Sequence, residues 1–426
     1  MESFSHKEHK GHKGFAMTAK RDNKVAFVGF AVPEDSRWRK TGAGRAGNLA
    51  QNGFVEALLT SGVGLDRVWS FQPVAVWPRG KELFSFGEKA RLDCGATARL
   101  MPLVNLPIVR ECIRLVSLAA AMFMWSICNR KSNRIVVVYN IFFPQAIFMR
   151  IITWLAGIKL VTIIYELGTI QGYHVNLWHR LFNMGLMHRL GVWCIPRFDG
   201  LLPISDPIVR DYAPGKHYLR VDGGLTRQVV SNLPELTPGD GQTFKMMFAG
   251  GVNHWNHIDA MLKFMKNNGD PRLRLWIAGW GEQIQDVQKA AEEDSRIACF
   301  GTLAHDELFR KYAEADILLN LRDMSDPALA YHYPSKLLEI LVMGKPVITS
   351  NTNHTREAYG HICKVIDSIE GLGGAVNELM GMSAEERCEY GKHAREWMLA
   401  NKTWKAQGPA IREYIESKVV GRKDSI

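Results

Sequence analysis

"YHYPSKLLEILVMGKPVITS", residues 331–350, contains a loop, a helix, a tight turn and a strand within one short stretch. Pro334 suits the first turn of a helix, where its missing N–H would have no partner in any case. Gly344 and Pro346 predict that the helix ends roughly ten residues later. "KPVITS" (345–350) has the pattern of a buried strand. The stretch therefore predicts one helix–strand unit of an α/β layer.

This short helix contains a single carboxylate, Glu339, in an otherwise apolar sequence. Ser335 lies four residues earlier, so the two side chains share one face of the helix. The preceding loop opens at the carboxyl end of the strand "ADILLNL" (315–321), and ligands of open α/β sheets bind at such edges. Two interpretations stay open at this point: Glu339 contacts a ligand, or it pairs with Lys336 on a solvated surface.

Strand and helix patterns alternate along the chain from about residue 24, and the alternation restarts after "SNLPELTPGDGQ". This order predicts an α/β protein with two doubly wound, Rossmann-like domains that face each other across a cleft. The predicted boundaries are a mobile tail at 1–22, an acceptor-side domain at 23–230, a linker at 231–242, a second domain at 243–395, and a helical segment at 396–426 that could cross back to the first domain.

Charge is unevenly distributed along the 426 residues, whose net charge is +10. Residues 1–200 contain 26 Lys and Arg against 13 Asp and Glu, whereas residues 201–426 contain 27 against 30. The basic half is expected to face an anionic surface. Dense basic runs with interleaved aromatic residues are absent from the sequence, so a nucleic-acid partner is not expected.

The basic half also contains "LVSLAAAMFMWSIC" (115–128), fourteen residues without a charge. That run is shorter than a bilayer-spanning helix requires, so it predicts a buried or interfacial helix, with core burial as the preferred assignment. A peripheral contact with an anionic membrane remains the alternative.

Seven cysteines are scattered singly, without a Cys-x-x-Cys pair, and no Asp-x-Asp occurs. Together with a polar N-terminus that lacks an apolar leader, this pattern favours a cytoplasmic protein with reduced thiols, bound at most peripherally to the inner leaflet. Neither a metal site nor a resident cofactor is expected.

"GAGRAG" (42–47) satisfies Gly-x-Gly-x-x-Gly but does not follow its strand directly, as a dinucleotide-binding turn would. A glycine-rich loop before a helix can still receive an anion through backbone N–H groups. Gly44 and Gly47 are therefore predicted to line a phosphate or acceptor site, and an ordinary turn is the alternative.

Four segments of the second half occur in a characteristic order: "FAGGVNHWNHIDAMLKFM", "LRLWIAGWGE", "IACFGTLAHDELFRKYAEADILLNL" and "YHYPSKLLEILVMGKPVITSN". Together they resemble the donor-binding domain of GT-B glycosyltransferases, especially glycosyltransferase family 4. The resemblance is strong over residues 240–360, and before them it rests on the order of elements and on "LRVDGGL" (219–225). It implies a GT-B fold and a nucleotide-sugar donor, a UDP- or GDP-sugar, with retention of configuration.

The resemblance also implies roles for individual residues. Glu339 would accept hydrogen bonds from the ribose hydroxyls of the donor. The remaining donor-site residues implied by the resemblance lie at the start of the same helix, at the end of the domain's first strand and in the base-binding loop: Pro334, Ser335, Lys336, Gly250, Gly251, Thr302 and Leu303.

The chain departs from the family pattern in two places. Tyr331 occupies the position of a Glu near the sugar, and Gly251 and Asn256 occupy the positions of two phosphate-binding cations. The cations that could replace them are, in order of preference, Lys336, Arg322, Arg45 and the histidines 254 and 257.

Glu166 ends the predicted strand "IIYE" in the first half. It could activate or position an acceptor hydroxyl, and a loop carboxylate that bonds the local backbone is the alternative. The predicted catalytic residues are Glu166, Lys336, Arg322 and Tyr331. The expected reaction is sugar transfer to a glycan or lipid-linked glycan in bacterial surface polysaccharide synthesis. A GT-B domain that binds a ligand or partner without turnover is the alternative.

Overall fold

Two parallel sheets organise the chain. The structure, a computed structural model, describes residues 21–40, 44–140, 145–165, 187–236, 238–239, 241–325, 327–331 and 335–421. Most of the predicted N-terminal tail, residues 1–20, lies outside this range.

The strands in chain order are β1 Asn23–Gly29, β2 Leu65–Ser70, β3 Phe84–Ser85, β4 Glu88–Arg91, β5 Thr97–Leu100, β6 Leu103–Val104, β7 Asn133–Tyr139, β8 Lys159–Ile164, β9 Gly200–Pro203, β10 Phe244–Gly251, β11 Leu273–Trp280, β12 Ile297–Gly301, β13 Ile317–Asn320, β14 Val347–Ser350 and β15 Lys364–Ile366. The helices are α1 Arg37–Lys40, α2 Arg45–Thr60, α3 Val109–Cys128, α4 Gln145–Leu155, α5 Met187–Cys194, α6 Asp206–Tyr212, α7 Arg227–Ser231, α8 Ile258–Asn267, α9 Ile284–Glu293, α10 His305–Glu314, α11 Ser335–Leu341, α12 Thr355–Tyr359, α13 Leu372–Gly381, α14 Ala384–Asn401 and α15 Trp404–Tyr414.

The first sheet has the strand order β4-β5-β2-β1-β7-β8-β9, and only its edge strand β4 is antiparallel to its neighbour. Its central strands are runs of Val and Ile because helices cover both of its faces. The sequence did not predict β3 to β6. These strands are at most four residues long and too short to show a period. Helix α3 begins at Val109, after β6.

The second sheet has the order β12-β11-β10-β13-β14-β15, and all of its pairings are parallel. In each sheet the chain starts in the middle and then builds outward in both directions. The strand order therefore reverses between β1 and β7 in the first sheet and between β10 and β13 in the second. A crevice forms at the carboxyl edge beside such a reversal, and it is the usual ligand site of this architecture.

The last helix, α15, packs on α2 of the first domain. Trp404 is 2% exposed, and a Cβ on Gly53 of α2 would lie 2.1 Å from its indole ring. The two chain segments that cross between the domains also pair with each other, since the backbone N–H of Leu225 donates to the carbonyl of Lys402 at 2.7 Å.

A buried carboxylate, Asp222, joins both domains and the C-terminal segment. It is 3% exposed and accepts hydrogen bonds from Tyr359 Oη at 2.7 Å, Lys402 Nζ at 2.7 Å and His354 Nε2 at 3.0 Å. Burial alone would raise its pKa, but the hydrogen bonds and the charge of Lys402 outweigh burial, and the pKa lies far below its usual value. Asp222 therefore stays ionised in the folded protein at neutral pH.

Helix α3 is only half-buried, which corrects the preferred prediction of core burial. One stripe, Leu118, Met122 and Trp125, packs on the first sheet. The opposite stripe is exposed: Val116 (66%), Phe123 (54%), Met124 (68%) and Ile127 (58%).

Helix α3 is longer than its uncharged run of fourteen residues. Val109–Cys128 has twenty residues and, by length and composition alone, could cross a membrane. The uncharged run 115–128 underestimated it because the first turns of the helix carry charged residues. Arg114 is one of them, and it is 5% exposed.

Candidate functional site

The predicted donor site lies at the order reversal of the second sheet. β10 ends there in Gly250 and Gly251, and the ammonium group of Lys336 lies over this end, where Nζ donates to the Ala249 carbonyl at 3.4 Å. A Cβ on Gly250 would be 3.0 Å from the Phe248 ring and 3.5 Å from Lys336 Nζ. Glycine at this position therefore leaves room for the lysine and for a ligand beside it.

Glu339 is half-buried and forms no salt bridge with Lys336, although both belong to α11. No described side chain donates a hydrogen bond to its carboxylate. Burial raises the pKa of Glu339, while electrostatic interactions with His305, Lys336 and Arg45 act in the opposite direction. The surface ion pair allowed by the sequence is thus absent, and the carboxylate is available to a ligand.

Arg322 follows β13 on the other side of the reversal. Its backbone is held in place, because its N–H donates to Ser350 Oγ at 2.9 Å and its carbonyl accepts from His257 Nε2 at 3.1 Å. Burial lowers the pKa of Arg322. Burial also lowers the pKa of Lys336. The charge of Glu339 raises this pKa, and the charge of Arg322 lowers it further. Two cations and one carboxylate therefore lie close together with an excess of positive charge.

The first domain adds a third cation to this cluster. Arg45 is the first residue of α2, its Nη2 donates to Gln228 Oε1 at 3.3 Å, and its charge lowers the pKa of Glu339. The start of α2 therefore faces the donor site. Added Cβ atoms on Gly44 and Gly47 would meet nothing within 4 Å, so packing does not require glycine at either position.

Tyr331 forms a contact between the domains. Its hydroxyl donates to Asp211 Oδ2 of α6 at 2.9 Å, and its ring lies 5.7 Å from that of Tyr212. Burial and the hydrogen bond to Asp211 raise the pKa of Tyr331 to about 12. The sequence did not predict Asp211, because nothing in the spacing of α6 indicates which loop of the other domain it faces.

The remaining predicted residues lie in the segments that follow β10 and β12. Thr302 is exposed and Leu303 half-buried in the loop after β12. His254 Nδ1 lies 2.6 Å from Glu282, so this imidazole is engaged in a surface pair. Asn256 is 4% exposed and donates to the Gly251 carbonyl at 2.7 Å, so it shapes the loop after β10.

Two predicted residues, Glu166 and Pro334, lie outside the described residues. Ser335 is the first residue of α11, and its side chain is likewise not described. His305, whose ring stacks on Phe309 at 4.2 Å, belongs to the cluster without having been predicted. Within the described ranges, no three His, Cys, Asp or Glu side chains come together as a metal site.

Comparison with known proteins adds two findings. Residues 258–412 match the glycosyl transferase-like family profile. Sucrose-phosphate synthase from Thermosynechococcus elongatus superposes with a TM-score of 0.57 at 13% identity, over 94% of this chain and 100% of the other. The chain has the GT-B fold.

Two further GT-B structures are similar. The Anabaena protein HepE, in complex with UDP, gives a TM-score of 0.56 at 11% identity, covering 92% of this chain and 100% of its own. The lipopolysaccharide outer core galactosyltransferase WaaB gives 0.56 at 14% identity, over 93% and 99%. Comparison with curated protein sequences finds no significant match. The GT-B fold and the profile match together support a glycosyltransferase.

Proposed function

We propose that this protein transfers a sugar, with retention, from a UDP- or GDP-sugar to a glycan or lipid-linked glycan in bacterial surface polysaccharide synthesis. One observation carries the donor part of the proposal. Glu339, Lys336 and Arg322 come together at the order reversal of the second sheet, with more positive than negative charge.

The chemistry of the cluster fits a nucleotide sugar. In the transfer, the bond from the anomeric carbon to the diphosphate oxygen breaks and a bond to the acceptor oxygen forms, while the proton of the acceptor hydroxyl passes to the departing diphosphate. Negative charge then grows on the leaving diphosphate, and Lys336 and Arg322 would neutralise it. An unpaired carboxylate such as Glu339 suits the two adjacent hydroxyls of a ribose.

Two of the similar structures bear on the donor and the acceptor. HepE forms a complex with UDP, and WaaB is a lipopolysaccharide outer core galactosyltransferase, so both the donor class and the acceptor class have precedents on this fold. Retention rests on the family 4 resemblance. Incubation with labelled UDP- and GDP-sugars, followed by NMR of the product's anomeric configuration, tests all three parts. The absence of both transfer and nucleotide binding would contradict the proposal.

Glu339→Gln should weaken UDP or GDP binding by about 10- to 150-fold, because one charge-assisted hydrogen bond contributes about 1.5–3 kcal/mol. Isothermal titration calorimetry measures this change. Glu293→Gln, on the exposed side of α9, is the matched control and should bind nucleotide normally. Equal affinities for Glu339→Gln and the unmodified protein would remove Glu339 from the donor site.

A second function, ligand binding without turnover, is favoured by the Asn256 amide and by the engaged Tyr331 hydroxyl. At these two positions the related enzymes carry a cation and a carboxylate. A nucleotide that raises the melting temperature without any sugar transfer or donor hydrolysis would support this function. Turnover with any donor would reject it.

We also propose that the protein acts at the cytoplasmic leaflet of the membrane. Helix α4 contacts α3 and also exposes large apolar side chains: Ile151 (50%), Trp154 (69%) and Leu155 (64%). The surrounding sequence, residues 112–165, contains six Lys and Arg and no Asp or Glu. Apolar and aromatic side chains bordered by cations suit an anionic lipid surface.

The protein should therefore bind anionic liposomes at low salt, bind neutral liposomes poorly, and be partly released as salt screens the charges. Trp154→Ser should weaken sedimentation with anionic liposomes by roughly 10- to 150-fold, since burial of a large apolar side chain contributes about 1.5–3 kcal/mol.

Trp280→Ser is the matched control for this experiment, because Trp280 is 71% exposed on the second domain. It should leave liposome binding unchanged. If Trp154→Ser and Trp280→Ser behave alike, α4 does not contact the lipid. Binding to neither kind of liposome would indicate a soluble acceptor.

A further inference from the structure

A pocket lies at the order reversal of the first sheet, between the carboxyl ends of β1 and β7 and beneath α3 and α4. Its enclosed part is small, about 40 Å³, and its space is about 580 Å³ when the open mouth is counted. This is the position at which an open α/β sheet binds its ligand. None of the predicted site residues lines this pocket, so nothing derived above accounts for it.

The wall of the pocket is mainly apolar and aromatic. Its lining includes Phe30, Phe71, Leu118, Met149 and Phe198. An apolar wall of this kind favours a hydrocarbon chain, since each buried CH₂ contributes about 0.8 kcal/mol.

One cation, Arg114, interrupts this wall. It is 5% exposed, and its guanidinium carbon lies 5.4 Å from the Phe30 ring centre and 5.5 Å from that of Phe71. Nη1 donates to Glu111 Oε1 at 3.0 Å and Nη2 to the Gln72 carbonyl at 3.1 Å. Its Nε–H is buried and has no hydrogen-bond partner among the described residues.

Glu111 does not balance the charge of Arg114 by itself. The same carboxylate oxygen accepts from Arg110 Nε at 2.9 Å, and the other oxygen accepts from Gln145 Nε2 at 2.9 Å. Two guanidinium groups therefore share one carboxylate, and one positive charge remains in excess. Burial lowers the pKa of Arg114 to about 10. Keeping the guanidinium charged in this buried position therefore costs free energy of folding.

We propose that this pocket binds an anionic amphiphile, with its hydrocarbon chain against the aromatic wall and its acidic group on Arg114. An acidic group against the guanidinium would supply the missing negative charge. The inference rests on the proposed function in one respect: such an amphiphile is the lipid part of a lipid-linked acceptor. The exposed faces of α3 and α4, the helices that cover the pocket, point to a membrane as its source.

Dodecyl phosphate, used below its micelle concentration, is the probe, and dodecanol and inorganic phosphate carry its two halves separately. Calorimetry should show that dodecyl phosphate binds at least tenfold more tightly than either half. Inorganic phosphate binding as tightly as dodecyl phosphate would overturn the role of the apolar wall. Equal binding of dodecanol would overturn the role of Arg114.

Two variants test the two parts of the pocket. Arg114→Met should weaken dodecyl phosphate binding by about 10- to 150-fold and leave dodecanol binding nearly unchanged. Ala146→Phe, which fills the pocket from α4, should weaken both. Arg134→Met removes another guanidinium, one that bonds Ser126 and Gly157 outside the pocket lining, and is the matched control. Unchanged dodecyl phosphate affinity in Ala146→Phe would place the ligand elsewhere, even if Arg114→Met failed to fold.

Thermal shift with UDP and GDP, measured on the same samples, separates this inference from the donor proposal. A nucleotide-induced shift without dodecyl phosphate binding would overturn the amphiphile site and leave the glycosyltransferase standing. Dodecyl phosphate binding that depends on Arg114, without any nucleotide-induced shift, would support the pocket and contradict the donor site.

Discussion

Lys336→Ala should lower the turnover number for sugar transfer by about 10²- to 10³-fold, with a smaller change in KM. Negative charge grows on the diphosphate as its bond to the sugar breaks, so a cation at this position interacts more strongly with the transition state than with the bound donor. Lys336 is placed for this role by its contact with the end of β10. Steady-state kinetics with the active donor measures both parameters.

Lys289→Ala is the control, because Lys289 is a solvated lysine on α9 whose side chain is 76% exposed. It should leave both kinetic parameters unchanged. A rise in KM alone for Lys336→Ala would show that the lysine binds ground state and transition state equally, and the leaving-group role would then pass to Arg322.

Asp222→Asn should lower the free energy of unfolding by about 3–5 kcal/mol, since breaking a buried ionic network leaves its partners without compensation. The loss removes charge from a site shared by Lys402, His354 and Tyr359. Urea unfolding followed by circular dichroism measures it. Asp367→Asn breaks an exposed pair with Arg356 and should leave the unfolding midpoint unchanged.

The loss of unfolding free energy in Asp222→Asn should also depend on pH. The pKa of Asp222 is depressed in the folded protein, so its contribution is present above its unfolded pKa of about 3.9 and is lost as the pH falls below that value. The stability difference between the unmodified protein and Asp222→Asn should therefore be largest near neutral pH and shrink below about pH 4. A difference that is constant from pH 7 to pH 3 would mean that the carboxylate charge is not the stabilising element.

Much of the fold follows from local pattern. The runs of Val and Ile in β7 and β8, and "FKMMFAGG" in β10, are long enough to show that they are buried strands. The small strands β3 to β6 could not be found in this way, because two to four residues do not establish a period.

Local pattern also predicts part of the candidate donor site. Spacing within α11 places Glu339 and Lys336 near one strand end, because both lie on one short helix. The approach of Arg45 and the hydrogen bond between Tyr331 and Asp211 depend on how two domains meet, and no local pattern records that.

Helix α3 shows most clearly what depends on the fold and not on the local sequence. Its composition is equally compatible with the core and with a lipid surface, and only packing shows which stripe is covered. The excess charge of the first half was visible in the sequence. The sequence did not show that Arg110 and Arg114 share one carboxylate, Glu111, because this contact depends on the fold.

The paired crossovers restrict how the two domains can move. The chain passes between them near Leu225 and again near Lys402, and a backbone hydrogen bond of 2.7 Å joins the two passages. A single connecting segment would allow the domains to twist relative to each other. Two connecting segments that are hydrogen-bonded side by side restrict this twist. We therefore expect the cleft to open and close with little twisting, so that Arg45 stays on the same side of Glu339.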